Sequence, residues 1–206
     1  MNKRVLLHII LFVLIFGCNN VKDEKQVPFE KLSSDVTGIN FSNIITPDIE
    51  TSENLFDYDY FYNGSGVGIA DINNDGLKDV LFTANQEMNK LFLNKGNLTF
   101  EDITESSNIN SKNKKWSSGV TFADVNNDGW LDIYISQGGP YDSNSRKNLL
   151  LINNQDLTFT EKAEEYGLDD NGISTQSAFF DFDKDGDLDC VVTVSYTHLT
   201  LPTTLS

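Results

Sequence analysis

Residues 71–79 read DINNDGLKD: five acidic or amide side chains in nine positions, with a glycine at the sixth. Side-chain oxygens stand at Asp71, Asn73, Asp75 and Asp79, positions 1, 3, 5 and 9. The stretch returns as DVNNDGWLD at 124–132 and as DFDKDGDLD at 181–189, at offsets of 53 and 57 residues. A second block repeats with it: NKLFLNKGNLTFEDI at 89–103 is echoed by KNLLLINNQDLTFTEKA at 147–163. Its offset is about six residues longer, which places an insertion near the turn residues Gly138–Ser143. Two blocks recurring in the same order make a tandem repeat.

An EF-hand begins in the same way, but it needs a bidentate glutamate at position 12 and a helix on either side. Position 12 is here Phe82, Ile135 and Val192, each inside an apolar, β-prone run. The acid instead falls at position 9 every time, as Asp79, Asp132 and Asp189. The ligand set closes early and the chain passes directly into a strand. Calcium takes six to eight hard oxygens. Asp71, Asn73, Asp75 and Asp79 would supply side-chain oxygens in the first loop; Asp124, Asn126, Asp128 and Asp132 in the second; Asp181, Asp183, Asp185 and Asp189 in the third. Position 7 (Leu77, Trp130, Asp187) would offer only its carbonyl, which explains its varied identity. Gly76, Gly129 and Gly186 permit the sharp bend. Magnesium, which demands tighter octahedral geometry, fits less well. Isolated Asn/Asp/Gly runs often form plain turns, but three copies at one spacing favour cation loops.

Around each loop the pattern is that of strands. GVGIA (66–70), GVTFA (119–123) and SAFF (177–180) lead in; Val80–Phe82, Ile133–Ile135 and Cys190–Val192 lead out. A further strand at Leu91–Leu93, a turn at Asn94–Asn97 and a strand at Leu98–Phe100 complete a unit, with Asn153–Asp156 as the matching turn in the next. Four short strands in roughly 50 residues is the size of a propeller blade. Helical periodicity is confined to a turn or two at Glu161–Tyr166. The fold expected is all-β, a partial β-propeller of tandem blades.

The ends of the chain read differently. Lys3 and Arg4 precede the apolar run Val5–Phe16, broken only by His8, which is a signal-peptide core too short to span a bilayer. Gly17-Cys18 at its end resembles the lipobox of bacterial lipoproteins, which implies that Cys18 carries lipid and that the mature protein begins there. Lys22-Asp23-Glu24-Lys25 resembles the surface-export signals of some Gram-negative lipoproteins, so the expected location is the bacterial outer membrane or cell surface, with the membrane met only through the lipid anchor. At the other end, VSYTHLTLPT (194–203) resembles a translated transposon sequencing adaptor, so native sequence is expected to stop near Val192 or Thr193 and the gene to continue. The divisions are therefore a signal peptide (1–17), a lipidated tether (18–30), propeller repeats (31–193) and a foreign tail (194–206).

Removing residues 1–17, which hold two basic groups and no acid, takes the net charge from −16 to −18. That balance argues against nucleic acid or an anionic membrane surface as a partner and suits cations. Ten of the acids are loop ligands. Neither histidine, His8 or His198, belongs to the mature native chain, so no Ser-His-Asp or Cys-His arrangement and no zinc site can be built from histidine in this stretch. Cys190 has no disulfide partner and suits a buried strand position. Lys112, Lys114 and Lys115 beside Trp116 read as a solvated loop, and the sequons at Asn63 and Asn97 as incidental.

With DxNxDGxxD loops between strands at this period, the chain resembles VCBS/FG-GAP repeat proteins, whose blades are similar to the calcium-bearing blades of integrin α-subunit propellers. The resemblance covers about residues 60–193. FYNGSGVGIADINNDGLKD, LFLNKGNLTFEDIT and AEEYGLDDNGISTQSAFFDFDKDGDLD are similar to large lipid-anchored proteins of Bacteroidetes-type bacteria that often end in an ASPIC/UnbV-type module, as in cartilage acidic proteins. The resemblance implies a closed ring, commonly of seven blades; seven units would need about 350 residues, and this chain holds about three. The lipobox, the repeats and the missing histidines point to a non-catalytic, calcium-binding surface scaffold for adhesion or ligand binding, with an unknown surface protein or glycan as partner. Two other readings stay open: an accessory of polysaccharide capture, in which Tyr58, Tyr60, Tyr62, Trp116 and Trp130 stack on sugars, and an enzyme whose catalytic part lies beyond this sequence or in carboxylate pairs.

Overall fold

Alternation of side chains across a pleated strand explains the arrangement of the molecule. Strands β1 (Val67–Ala70), β2 (Asp79–Phe82), β3 (Lys90–Asn94) and β4 (Phe100–Asp102) form one antiparallel sheet in chain order. β5 (Ser117–Ala123), β6 (Asp132–Gln137), β7 (Leu149–Asn153) and β8 (Phe159–Glu161) form a second of the same order. β9 (Ile173–Phe180) and β10 (Asp189–Ser195) pair as a third. The computed structural model describes residues 29–110 and 116–195, and the described residues from Ser33 onward form one compact unit. Four antiparallel strands in each of the first two repeats is the expected blade pattern, and the third repeat contributes two among the described residues.

The middle sheet is buried on both faces. Ile133 and Ile135 of β6, with Leu149 and Leu151 of β7, pack toward the first sheet against Leu81, Leu91 and Leu93. The intervening residues Tyr134, Leu150 and Ile152 point the other way, onto Cys190, Phe179 and Val192 of the third sheet. A period-2 strand with an apolar neighbour on each side must be apolar at every position. This is why LLLI runs uninterrupted at 149–152. The first strands of the three sheets lie side by side. The Ser65 hydroxyl donates to the Ser117 carbonyl at 2.8 Å, and Thr121 donates to the Ser177 carbonyl at 2.8 Å. Glycine makes that approach possible. A Cβ on Gly119 would fall 2.5 Å from the Thr175 carbonyl oxygen, and one on Gly68 2.6 Å from the Phe122 ring. Among the described residues the three sheets form an open series, not a closed ring.

The structure adjusts several sequence expectations. Leu98 and Thr99 are not in a strand: Asn97 and Leu98 adopt φ of 53° and 59°, and Thr99 bonds back to the Gly96 carbonyl, so β4 begins only at Phe100. Glu161–Tyr166 is not helical. Glu161 ends β8, and a turn follows, closed by Tyr166 N–H to Lys162 O (3.2 Å) and Leu168 N–H to Ala163 O (2.8 Å). Four-residue helical turns occur instead at Ser34–Thr37 and Thr104–Ser107, with a 3₁₀ turn at Ser143–Arg146. That 3₁₀ turn sits in the expected insertion. Phe82 pairs with Lys90 and Ile135 with Leu149, so the connection is eight positions in the first unit and fourteen in the second. Val194 and Ser195 end β10 opposite Ser174 and Ile173 after a register shift at Thr193/Val194. The signal peptide, Cys18, most of the tether, Lys112, Lys114, Lys115 and residues 196–206 lie outside the described residues.

One element had no sequence signature. The segment before β1 brings Tyr58 and Phe61 onto Trp116, with Tyr141 and Ile45 at the edge of the cluster. Asn43 and Asn85 bond amide to amide at 2.7 Å, and Ser52 donates to the Pro140 carbonyl at 2.8 Å.

Candidate metal centres

Each acidic loop joins the first two strands of its sheet, and the pairing brings its ends together. Ala70 pairs with Asp79, Ala123 with Asp132 and Phe180 with Asp189, so position 9 always faces the residue before position 1. Two left-handed residues turn the chain between them: position 4 (Asn74 φ 58°, Asn127 φ 57°, Lys184 φ 65°) and position 6 (Gly76 φ 85°, Gly129 φ 85°, Gly186 φ 100°). Asparagine tolerates that region better than lysine, and the third loop departs at that position.

The turn aims backbone N–H groups at the loop's own oxygens. In the first loop Asp71 accepts from Asp75 N–H (3.1 Å) and Gly76 N–H (2.8 Å), and Asp75 accepts from Leu77 N–H (2.8 Å). The second loop repeats these bonds: Asp124 accepts from Asp128 (3.0 Å) and Gly129 (2.8 Å), and Asp128 from Trp130 (2.9 Å). The position-3 oxygens of Asn73 and Asn126 accept from the same position-5 N–H at 3.3 and 3.1 Å. In the third loop Asp181 accepts from Gly186 (3.3 Å), Asp183 from Asp185 (3.2 Å) and Asp185 from Asp187 (3.0 Å). There Asp181, Asp183 and Asp189 each bring a carboxylate oxygen within 4.8 Å of the others. Leu77 is 37% exposed, and Trp130 is half-buried.

Position 9 is the buried end of the loop. Asp79 and Asp132 are 0% and 1% exposed. Each holds a position-2 N–H on one oxygen: Ile72 to Asp79 and Val125 to Asp132, both at 3.0 Å. The other oxygen takes an N–H from the end of the third strand, Asn94 to Asp79 and Asn153 to Asp132, both at 2.8 Å. Asp189 accepts from Phe182 N–H at 2.8 Å. Burial pushes the Asp79 and Asp132 carboxyls above the usual aspartate range, and the neighbouring loop carboxylates add to the shift, against the lowering effect of the two N–H bonds. Exposed Asp75 moves the other way, lowered first by the Leu77 N–H and then by the Asn73 amide.

The donor set consists of hard oxygens only. The carboxylates have lone pairs beyond those their N–H partners use. Buried acids whose ionisation is opposed are sites that a divalent cation would relieve. These residue types could hold calcium, and it would neutralise the like charges and fix the turns.

Asn94 and Asn153 were read from sequence only as turn residues. The structure makes them supports of the loops. Besides the N–H to the acid, Asn94 donates its side chain to the Lys78 carbonyl (2.8 Å) and Asn153 to the Leu131 carbonyl (3.1 Å), both at position 8. The available signal was their recurrence at the same place in the second repeated block. The aromatic residues considered for sugar stacking divide: Trp116 and Tyr58 are 3% and 6% exposed in the core, whereas Tyr62 is 57% exposed.

Residues 71–135 match the FG-GAP-like repeat family. The matched stretch begins at position 1 of the first loop and runs through the second loop into β6, so it takes in two of the three candidate centres. Over 130 residues the chain is also 32% identical to cartilage acidic protein 1 of Xenopus tropicalis. That alignment covers 63% of this chain and 19% of the relative, so the chain matches about a fifth of that protein's length.

Proposed function

We propose that this protein is a non-catalytic, calcium-stabilised repeat scaffold for binding or adhesion, displayed on a bacterial surface through lipid on Cys18. The observation that carries the reading is the recurrence of one loop geometry, from position 1 to position 9, at the same strand junction of three successive sheets. In the first loop Asp71, Asn73, Asp75, the Leu77 carbonyl and Asp79 would hold the ion. Asp124, Asn126, Asp128, Trp130 through its carbonyl and Asp132 would do so in the second. Asp181, Asp183, Asp185, Asp187 through its carbonyl and Asp189 would do so in the third. The FG-GAP-like match and the similarity to a protein named as acidic both support a repeat scaffold. The ions are structural in this reading: they rigidify the turns at one edge of stacked sheets, and a ligand reads the resulting surface.

Polysaccharide capture is weaker than adhesion, because Trp116 and Tyr58 are committed to the core. Titration calorimetry and paired melts in calcium and in chelator test the metal; coincident midpoints with no binding heat remove it. Retention of cells displaying the protein on immobilised proteins and glycans tests adhesion; retention equal to that of undecorated cells removes it.

A further inference from the structure

The first two loops share hydrogen bonds. Asn74, position 4 of the first, donates its side chain to the Gly129 carbonyl of the second at 3.0 Å. Gln155, in the turn after β7, donates to Asp128 Oδ2 at 3.3 Å. Asn153 goes further. Its Nδ2 reaches both the Leu131 carbonyl of the second loop (3.1 Å) and the Ile72 carbonyl of the first (2.8 Å). Its Oδ1 accepts from Gln155 N–H at 2.8 Å, which fixes the amide's orientation.

A continuous path follows. Asp79 accepts from Ile72 N–H; the Ile72 carbonyl accepts from the Asn153 side chain; Asn153 N–H donates to Asp132. Position 9 of one loop is joined to position 9 of the next through one residue's peptide groups and one asparagine. All four residues are 3% exposed or less. The Nδ2 of Asn94, the counterpart of Asn153, donates among the described residues only to the Lys78 carbonyl of its own loop. Among the described residues no hydrogen bond joins the third loop to the second.

We propose that Asn153 is a positioning residue that couples the first two cation loops, so that filling either one raises the affinity of the other. The inference rests on the calcium reading above. A cation at Asp79 or Asp132 fixes the peptide that the two loops share. The second ion then meets a loop already ordered and loses less conformational entropy on binding. Linkage makes the effect reciprocal.

Terbium titration of the full chain tests this, with emission excited through tryptophan. Trp130 is position 7 of the second loop, and the part of the signal lost in Trp130→Phe reports that loop. Disabling the first loop with Asp71→Asn and Asp75→Asn is expected to raise the second loop's midpoint at least about 5-fold, the lower end of ordinary coupling. In an Asn153→Ala background the same change is expected to move the midpoint less than about 2-fold, while an Asn94→Ala background keeps the full shift. Should Asn153→Ala fail to fold by circular dichroism, Asn74→Ala, on the exposed side of the same junction, is expected to reduce the shift partially. An unmoved midpoint when the first loop is disabled overturns the coupling and leaves the calcium reading intact. Absence of sensitised emission together with absence of calcium heat overturns both.

Discussion

Asn94 lies 15 residues beyond Asp79 and donates its backbone N–H to that carboxylate at 2.8 Å, and Asn153 repeats the bond to Asp132 at the same length. The acid that closes each loop is therefore held from the third strand as well as from within the loop. Loop, strand pair and outer hairpin are one mechanical unit. A change in the loop should be felt as loss of sheet stability.

The first prediction concerns Asp132→Ala. Each buried position-9 acid accepts two backbone N–H groups, and truncation leaves both without a partner at about 1–3 kcal/mol each. Asp132→Ala and Asp79→Ala should each cost about 3–5 kcal/mol in urea unfolding without calcium, a large part of an ordinary domain's stability. Asp189 is half-buried and holds one loop N–H, so Asp189→Ala should cost about 1–2 kcal/mol. Equal losses at all three would contradict the role given to Asn94 and Asn153.

The pH dependence follows from the same acids. Asp79 and Asp132 have carboxyl groups raised above their unfolded value by burial. A raised acid binds its proton more tightly in the folded state. Its contribution to stability is complete below the unfolded value, about pH 4, and is lost as pH rises through the folded value. Calcium requires the ionised form and reverses that loss. The midpoint difference between calcium and chelator should be largest near neutral pH and shrink toward pH 4. At a hundredfold excess over Kd one site adds about 2.7 kcal/mol, which is several degrees in a domain of this size. Taking the difference cancels acids away from the loops, such as Asp102, whose carboxyl is lowered by Lys90 and Thr104. A difference that does not vary with pH would rule out Asp79 and Asp132 as ligands.

What the sequence made legible was whatever repeats in short range. Asp71, Asp75, Gly76 and Asp79 act within nine residues, so their spacing carried the loop geometry and, through Phe82 at position 12, excluded a helix. The strands on either side followed from period-2 runs. Asn94 and Asn153 were illegible as supports because their partners lie 15 and 21 residues away. Leu98 and Thr99 looked like strand because their alternation is right, but two consecutive left-handed residues cost the strand its start. The segment around Tyr58 and Phe61 has no periodic pattern at all. It is held by Tyr58 and Phe61 on Trp116 and by hydrogen bonds of Thr46 to Gln86, Asn43 to Asn85 and Ser52 to Pro140, partners that only the tertiary structure brings together.

Two glycines of different kinds should separate under substitution. Gly119 of β5 packs against β9, where a Cβ would lie 2.5 Å from the Thr175 carbonyl oxygen and 2.9 Å from the Gln176 Cα. Backbone cannot swing aside, so Gly119→Ala should cost about 1–3 kcal/mol through overpacking. Gly129 has open space around the position of a Cβ and φ of 85°. Its cost is conformational: about 1–2 kcal/mol for Gly129→Ala and less for Gly129→Asn, since asparagine visits that region more readily. Urea midpoints for the three variants check this. A Gly119→Ala protein as stable as wild type would mean that the first strands are farther apart than described.

The last prediction uses Cys190 as a clock for opening of the third sheet. Its side chain packs against Tyr134 and Leu150, and burial pushes the thiol up to about 12. At pH 8 an ordinary thiol is substantially ionised, whereas one at that value is on the order of 10³-fold less so. Native Cys190 should therefore resist a disulfide reagent until β9 and β10 separate from the middle sheet. In a Cys18→Ser protein the labelling rate should become independent of reagent concentration when reagent is in excess, because opening then limits it. Calcium should slow it further, since an ion in the third loop would stiffen the β9–β10 pair that must lift off the middle sheet. Labelling within the mixing time in the presence of calcium would show that the third sheet is not packed on the second.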